Sequence, residues 1–122
     1  MARLLIVDDD RTLVSLLSEI VAVNGHTSLG AYGGQQALDL IASQTFDVVL
    51  LDLMMPDIDG FETLKRLRSM PQGKDLPVVV VTAMPDPDVD QRVARAGGNA
   101  CLRKPVGFDV LETTIQAQLR HG

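Results

Sequence analysis

The sequence predicts a three-layer α/β sandwich around a parallel sheet, and three observations lead there. Short aliphatic runs alternate with amphipathic stretches five times along the 122 residues, the pattern of repeated β–α units. The runs within Leu4–Val7, Asp47–Leu51 and Val78–Thr82 are continuously apolar rather than alternating, as strands covered on both faces are. Two of them also end directly in carboxylate, the first in Asp8-Asp9-Asp10 and the second in Asp52. The C-terminal ends of parallel strands share one edge, where open α/β folds take their ligands. Asp8, Asp9 and Asp52 are therefore expected to meet. Two carboxylates a few ångströms apart repel by about 4 kcal/mol at an effective dielectric near 20, a cost that points to a divalent cation between them.

Each element has its own signal. The first strand is Leu4–Val7, and Asp10 is placed to cap a first helix over Arg11–Asn24, which Gly25 stops. At about 100° per residue, the Leu13, Val14, Leu16, Leu17, Ile20, Val21 and Val23 side chains cover about half of that helix. Such width predicts deep burial between the sheet and a neighbouring helix; the competing reading is that its edge, at Val14 or Val21, docks a partner helix. A second strand, Thr27–Ala31, is cut off by Gly33-Gly34 before a helix over Gly34–Ser43. After Asp47–Leu51, Asp59 caps a helix over Phe61–Met70, with Glu62 three residues on as in a capping box. Val78–Thr82 is followed by an acidic loop stiffened by Pro85 and Pro87, then by a helix over Val89–Ala96 that Gly97-Gly98 end. The last strand is Ala100–Arg103 and the last helix Phe108–Arg120, with Lys104-Pro105 turning between them.

Composition narrows the class of function. The length suits a single domain over residues 1–122 with one core, mainly aliphatic because aromatic residues are only 3%. No apolar run approaches the roughly 20 residues that cross a bilayer, and Asp8 to Asp10 interrupt the only apolar stretch near the start, where a signal peptide would lie. The lone Cys101 cannot close an internal disulfide, so a cytoplasmic location is expected. A net charge of −5 argues against direct nucleic-acid binding. Met1 is expected to be a natural start, and with no output domain visible the readings left open are a stand-alone regulator, a phosphorelay shuttle or a receiver cut from a larger protein.

The chain resembles the receiver domains of two-component response regulators over essentially its whole length. The resemblance rests on Leu5-Ile6-Val7-Asp8-Asp9-Asp10, Leu51-Asp52-Leu53-Met54-Met55-Pro56-Asp57-Ile58-Asp59-Gly60, Val80-Val81-Thr82-Ala83 and Lys104-Pro105, in that order. It implies the flavodoxin-like (βα)5 fold with strand order 2-1-3-4-5. It also implies Asp52 as phosphoacceptor, taking a phosphoryl group from a sensor histidine kinase or histidine phosphotransfer protein. Asp8, Asp9, Asp52 and the Met54 backbone carbonyl would hold Mg²⁺, a hard ion that suits oxygen ligands. Lys104 would face the phosphoryl oxygens, the Thr82 hydroxyl would bond one of them, and the small Ala83 would keep the approach open. The domain would then be a signalling switch that catalyses only its own phosphorylation and dephosphorylation.

Two positions depart from the family pattern: Cys101 stands where a switching Tyr or Phe is common, and Val106 follows Pro105 where Phe is usual. The small thiol puts switching through an aromatic ring in doubt; movement of the loop after Thr82 is the remaining route. Cys101 is read as a packing residue, and Asp57 and Asp59 as turn and cap rather than ligands. Met54 and Met84, two residues past Asp52 and Thr82, cannot orient a water by hydrogen bonding, so slow self-dephosphorylation is expected. Two alternatives have some footing. One is a degenerate, non-phosphorylated interaction domain; the other is a haloacid-dehalogenase-type phosphatase using Asp8 and Asp10 of Asp8-Asp9-Asp10-Arg11-Thr12, which leaves Asp52 unexplained.

Overall fold

A computed structural model describes residues 2–121, so Met1 and Gly122, with the readings that rest on the chain ends, lie outside the described residues. The elements run β1 (Arg3–Val7), α1 (Arg11–Val23), β2 (Thr27–Ala31), α2 (Gly34–Ser43), β3 (Val48–Leu51), α3 (Gly60–Arg68), β4 (Val78–Thr82), α4 (Val89–Ala96), β5 (Ala100–Arg103) and α5 (Phe108–His121). All strand pairs are parallel, in the order β2-β1-β3-β4-β5. The expected architecture is therefore present. The order reverses at β1, and the crevice beyond that point is the expected place for a ligand.

Alternation along each strand builds two cores. Leu5, Val7, Val49, Leu51, Val78 and Val80 face α2, α3 and α4 and pack with Ala37, Ile41, Leu64, Leu67, Val89 and Val93. Leu4, Ile6, Val48, Leu50, Val79 and Val81 face the other way, onto Val14, Leu17 and Val21 of α1 and Leu111 and Ile115 of α5. Val14 and Val21 are thus core residues, not a docking edge. The edge of α1 that stays open is Leu16 and Val23, at 46% and 86% exposure. The helical period alone gives the width of an apolar face; where α5 lies decides which part of it is covered.

Helix ends differ from expectation by a residue or two, for local reasons. Asn24 is the C-cap of α1 rather than its last residue. In α3 the cap is Asp59, whose Oδ1 accepts the Glu62 N–H at 2.9 Å, so the helix opens at Gly60. Glu62 does not complete the box: its carboxylate accepts from Arg66 Nε at 2.8 Å instead. The α3 helix stops early, at Arg68, whose guanidinium donates to the carbonyls of Gly73, Leu76 and Gly97 and to Asn99 Oδ1. That one side chain ties the end of α3 to the loop before β4 and the turn before β5. Gly97 ends α4 with a φ of 102°, a left-handed conformation natural to glycine. His26, buried at the turn into β2, accepts the Ala2 N–H on Nδ1 and meets the Glu112 carboxylate through Nε2, linking β1, α1 and α5.

Candidate functional site

The ends of β1, β3, β4 and β5 deliver the site. Asp8 follows β1 directly; its N–H is still held by the Ala31 carbonyl of β2, and its Oδ1 accepts the Asp10 N–H at 2.9 Å. Asp52 follows β3, with its N–H on the Val7 carbonyl and its Oδ1 accepting the Met54 N–H at 3.3 Å. Both carboxylates are buried, Asp8 at 4% and Asp52 at 5% exposure, whereas Asp9 faces solvent. Gly60 lets α3 start against this strand end: a Cβ there would lie 2.5 Å from the Asp52 carbonyl oxygen and from Leu53 Cα. Any larger residue would push α3 off the site.

Asp8, Asp9 and Asp52 each offer an oxygen within 4.8 Å of the others. Lys104, at the end of β5, closes the cluster with its Nζ 2.8 Å from Asp8 Oδ2 and 3.5 Å from Asp52 Oδ2. Burial, and then the Asp8 charge, push the Asp52 carboxyl above its usual range, against the pull of Lys104 and the Met54 N–H. Burial alone would lower the Lys104 ammonium. Its hydrogen bond to Asp8 and the charges of Asp52 and Asp8 outweigh that and hold it above the ordinary lysine value. One cation among three carboxylates leaves the cluster short of positive charge. An oxygen-only donor set with that deficit fits a hard divalent ion such as Mg²⁺.

Thr82 is fully buried at the end of β4, its Oγ1 accepting the Met84 N–H at 3.2 Å, and the exposed Ala83 follows it. The Lys104-Pro105 peptide is cis. The carboxylates expected to be structural are so. Asp10 Oδ1 caps α1 through the Leu13 N–H, which takes it out of the cluster and removes the second residue of the phosphatase reading. Asp57 reaches from the loop after β3 to accept the Gly34 and Gln35 N–H groups, each at 3.2 Å, and so caps α2. Desolvation works against it, yet the N–H donors of Gln35, Ile58 and Gly34 hold its carboxyl below the usual range. Cys101 packs half-buried against the α2–α4 core, and burial beside Asp90 pushes its thiol up to about 11, so it stays protonated at neutral pH.

Two arginines with no signal in the sequence brace the loop after Thr82, Arg92 from α4 and Arg103 from the end of β5. Arg92 Nη1 bonds Asp86 Oδ2 at 2.9 Å, and its guanidinium lies 4.5 Å over the Phe61 ring. Arg103 reaches the Met84 and Asp86 carbonyls at 3.4 and 3.3 Å. A basic residue in a helix or at a strand end carries no signal of its partners.

Carboxylates gathered under a lysine, at the switch point of a five-stranded parallel sheet, define the signal-receiver class of α/β domain. A family model described as the response regulator receiver domain matches residues 4–116. The chain belongs to that family. The response regulator MprA of Mycolicibacterium vanbaalenii is 43% identical over 120 residues, which cover 97% of this chain and 50% of that protein. The chain thus spans about half the length of the curated relatives it matches. Among solved structures, the receiver domain of Francisella response regulator 1452 is similar with a TM-score of 0.91 at 28% identity, covering 99% of this chain and 98% of the other. Chemotaxis protein CheY4 of Vibrio cholerae gives 0.91 at 31% identity, covering 98% and 99%. No helix among the described residues is long and apolar enough to cross a membrane.

Proposed function

We propose that this chain is the phosphoacceptor module of a two-component or phosphorelay pathway in the cytoplasm. It takes a phosphoryl group from the phosphohistidine of a sensor kinase or phosphotransfer protein onto Asp52, with Asp8, Asp9, Asp52 and the Met54 carbonyl holding Mg²⁺. The observation that carries this reading is the single lysine shared by two buried carboxylates, Asp8 and Asp52, at the meeting of β1, β3 and β5.

Bound Mg²⁺ supplies positive charge for the transferring phosphoryl oxygens. The chain's own residues do the rest. An Asp52 oxygen attacks phosphorus in line with the departing imidazole nitrogen; the P–N bond breaks, its electron pair stays on nitrogen, and an acyl phosphate forms. Lys104 opposes the rise that burial and Asp8 impose on the Asp52 carboxyl, and its ammonium has a phosphoryl oxygen to turn to once the Asp52 charge is esterified. The Thr82 hydroxyl can donate to that phosphoryl group while still accepting the Met84 N–H, since a hydroxyl does both. Ala83 leaves the side of entry open. The product biases a partner-binding surface, as phosphorylation does when it changes local charge.

An apolar depression lined by Leu16, Ile20, Val23 and Phe108, with Glu19 and Asp109 at its rim, runs along α1 and the start of α5. A second, lined by Leu13, Ala83, Lys104 and Pro105, shares Leu16, Ile20 and Phe108 with it and continues to the site. This face suits a kinase or phosphotransfer helix that must present its histidine to Asp52. The test is transfer from a labelled phosphohistidine donor. Label should move to the chain only with Mg²⁺, be released by hydroxylamine as inorganic phosphate, as an acyl phosphate requires, and disappear in Asp52→Ala. Label that persists in Asp52→Ala would refute the assignment.

A further inference from the structure

The first turn of α2 is capped from a distance. Its N-cap residue is Gly33, which has no side chain to offer, where Ser, Thr, Asp or Asn ordinarily supplies the acceptor. The acceptor comes instead from Asp57, 23 residues beyond Gly34 in the loop after β3. Its Oδ1 takes the Gly34 N–H and its Oδ2 the Gln35 N–H. Two glycines let the loop come this close. A Cβ at Gly33 would lie 2.8 Å from Asp57 Oδ2, and one at Gly34 would run into Ile58 and Thr63. The start of the same loop belongs to the site. There the Met54 N–H donates to Asp52 Oδ1, while Met55 and Ile58 anchor the stretch between in the α2–α4 core. The Met54 peptide is thus held by Asp52 on one side and, three residues on, by the first turn of α2.

We propose that Asp57 is a positioning residue: by clamping the loop after β3 to α2 it holds the Met54 peptide against Asp52, and so sets how tightly the site takes Mg²⁺. The inference rests on the proposed metal set of Asp8, Asp9, Asp52 and the Met54 carbonyl. Magnesium demands near-ideal octahedral geometry. A carbonyl ligand on a loose loop must be ordered when the ion binds, whereas one on a braced loop is ordered beforehand. Capping alone does not call for such a reach, since the residue just before a helix ordinarily does it. Here the cap joins two segments distant in sequence, and coupling between them runs both ways: a clamp that favours the ion is itself favoured by the ion.

The experiment titrates Mg²⁺ into the metal-free chain and reads the dissociation constant from backbone amide shifts. It compares the unaltered chain with Asp57→Ala, Asp57→Asn and Ile41→Val. Asp57→Ala should weaken Mg²⁺ about fivefold or more. Asp57→Asn drops an exposed charge, which salt screens, but keeps a side-chain oxygen for the cap, and should bind within about twofold of the unaltered chain. Ile41→Val loosens the buried face of α2 without touching the clamp and should also stay within about twofold. By linkage, the melting temperature lost in Asp57→Ala should be larger with Mg²⁺ than with chelator. An Asp57→Ala affinity within about twofold of the unaltered chain, with equal losses in melting temperature, would overturn the proposal. Equal weakening in Ile41→Val would trace the effect to a loosened helix, and equal weakening in Asp57→Asn to the lost charge; either result sinks the clamp. No Mg²⁺ binding by the unaltered chain would overturn the metal set with it, whereas normal binding unmoved by Asp57→Ala overturns the clamp alone.

Discussion

Replacing Asp52 with Asn should stabilise the metal-free protein, although it removes the residue on which the proposed function depends. The reason lies in three distances. Lys104 Nζ is 3.5 Å from Asp52 Oδ2, an attraction of about 4.7 kcal/mol at an effective dielectric of 20. Asp8 and Asp52 lie within 4.8 Å, a repulsion of about 3.5 kcal/mol or more on the same footing. These nearly offset, and loss of hydration at a carboxylate only 5% exposed then tips the balance against the charge. In Asp52→Asn, Lys104 keeps its 2.8 Å bond to Asp8, so little attraction is lost. A gain of about 1–2 kcal/mol at pH 7 is expected, or about 4–8 °C in melting temperature for a domain of this size.

The pH dependence carries a definite sign. The Asp52 carboxyl is raised in the folded state, so the folded chain binds the proton more tightly than the unfolded chain does. Its favourable contribution is complete below the unfolded value and is lost as pH rises through the raised folded value. The advantage of Asp52→Asn should therefore grow as pH rises through the raised folded value and shrink in acid. Mg²⁺ should reverse the order: a ligand at a hundredfold excess over its dissociation constant stabilises by about 2.7 kcal/mol, and the variant lacks one of the proposed metal ligands. Urea and thermal unfolding with chelator or Mg²⁺ check this. An Asn variant less stable than the parent in chelator would refute the reasoning, as would a gap unchanged by Mg²⁺.

Other outcomes follow from the same geometry. Asp57→Ala leaves the Gly34 and Gln35 N–H groups of α2 without their acceptor and should cost about 1 kcal/mol by urea denaturation at pH 7. Because the Asp57 carboxyl is held below its usual range, that cost should persist through weakly acidic pH and vanish only as pH falls through the lowered value; a cost that grows in acid would contradict the cap. Met54→Asn with Met84→Glu places groups able to orient water at the rim of the site and should shorten the phosphoryl lifetime, read as decay of the adduct by intact mass. An unchanged lifetime would show that neither methionine limits access of water.

Much of the fold could be read from local pattern because each signal sits within a few residues. The continuous apolar runs marked the central strands, and glycine and aspartate marked the helix ends. The acid cluster was legible for a topological reason: parallel strands must end on one edge, so aspartates that follow β1 and β3 have to meet. What the sequence hid depends on pairings between distant residues. Whether Val14 and Val21 are core or an open edge of α1 is decided by α5, some 90 residues on, and not by helical period. His26 and Glu112 are separated by 86 residues, and nothing near either one announces the other. Glu62 had the spacing of a capping box, but Arg66 one turn away offered it a charged partner.

The central claim is that Asp52 becomes phosphorylated with the help of a cation held by its neighbours. It is tested most directly by incubating the chain with acetyl phosphate and Mg²⁺ and measuring intact mass, beside Asp52→Ala and a chelator control. The account predicts a single phosphoryl adduct on the unaltered chain and none in either control. An adduct that survives Asp52→Ala, or no adduct together with no detectable Mg²⁺ binding, would contradict it.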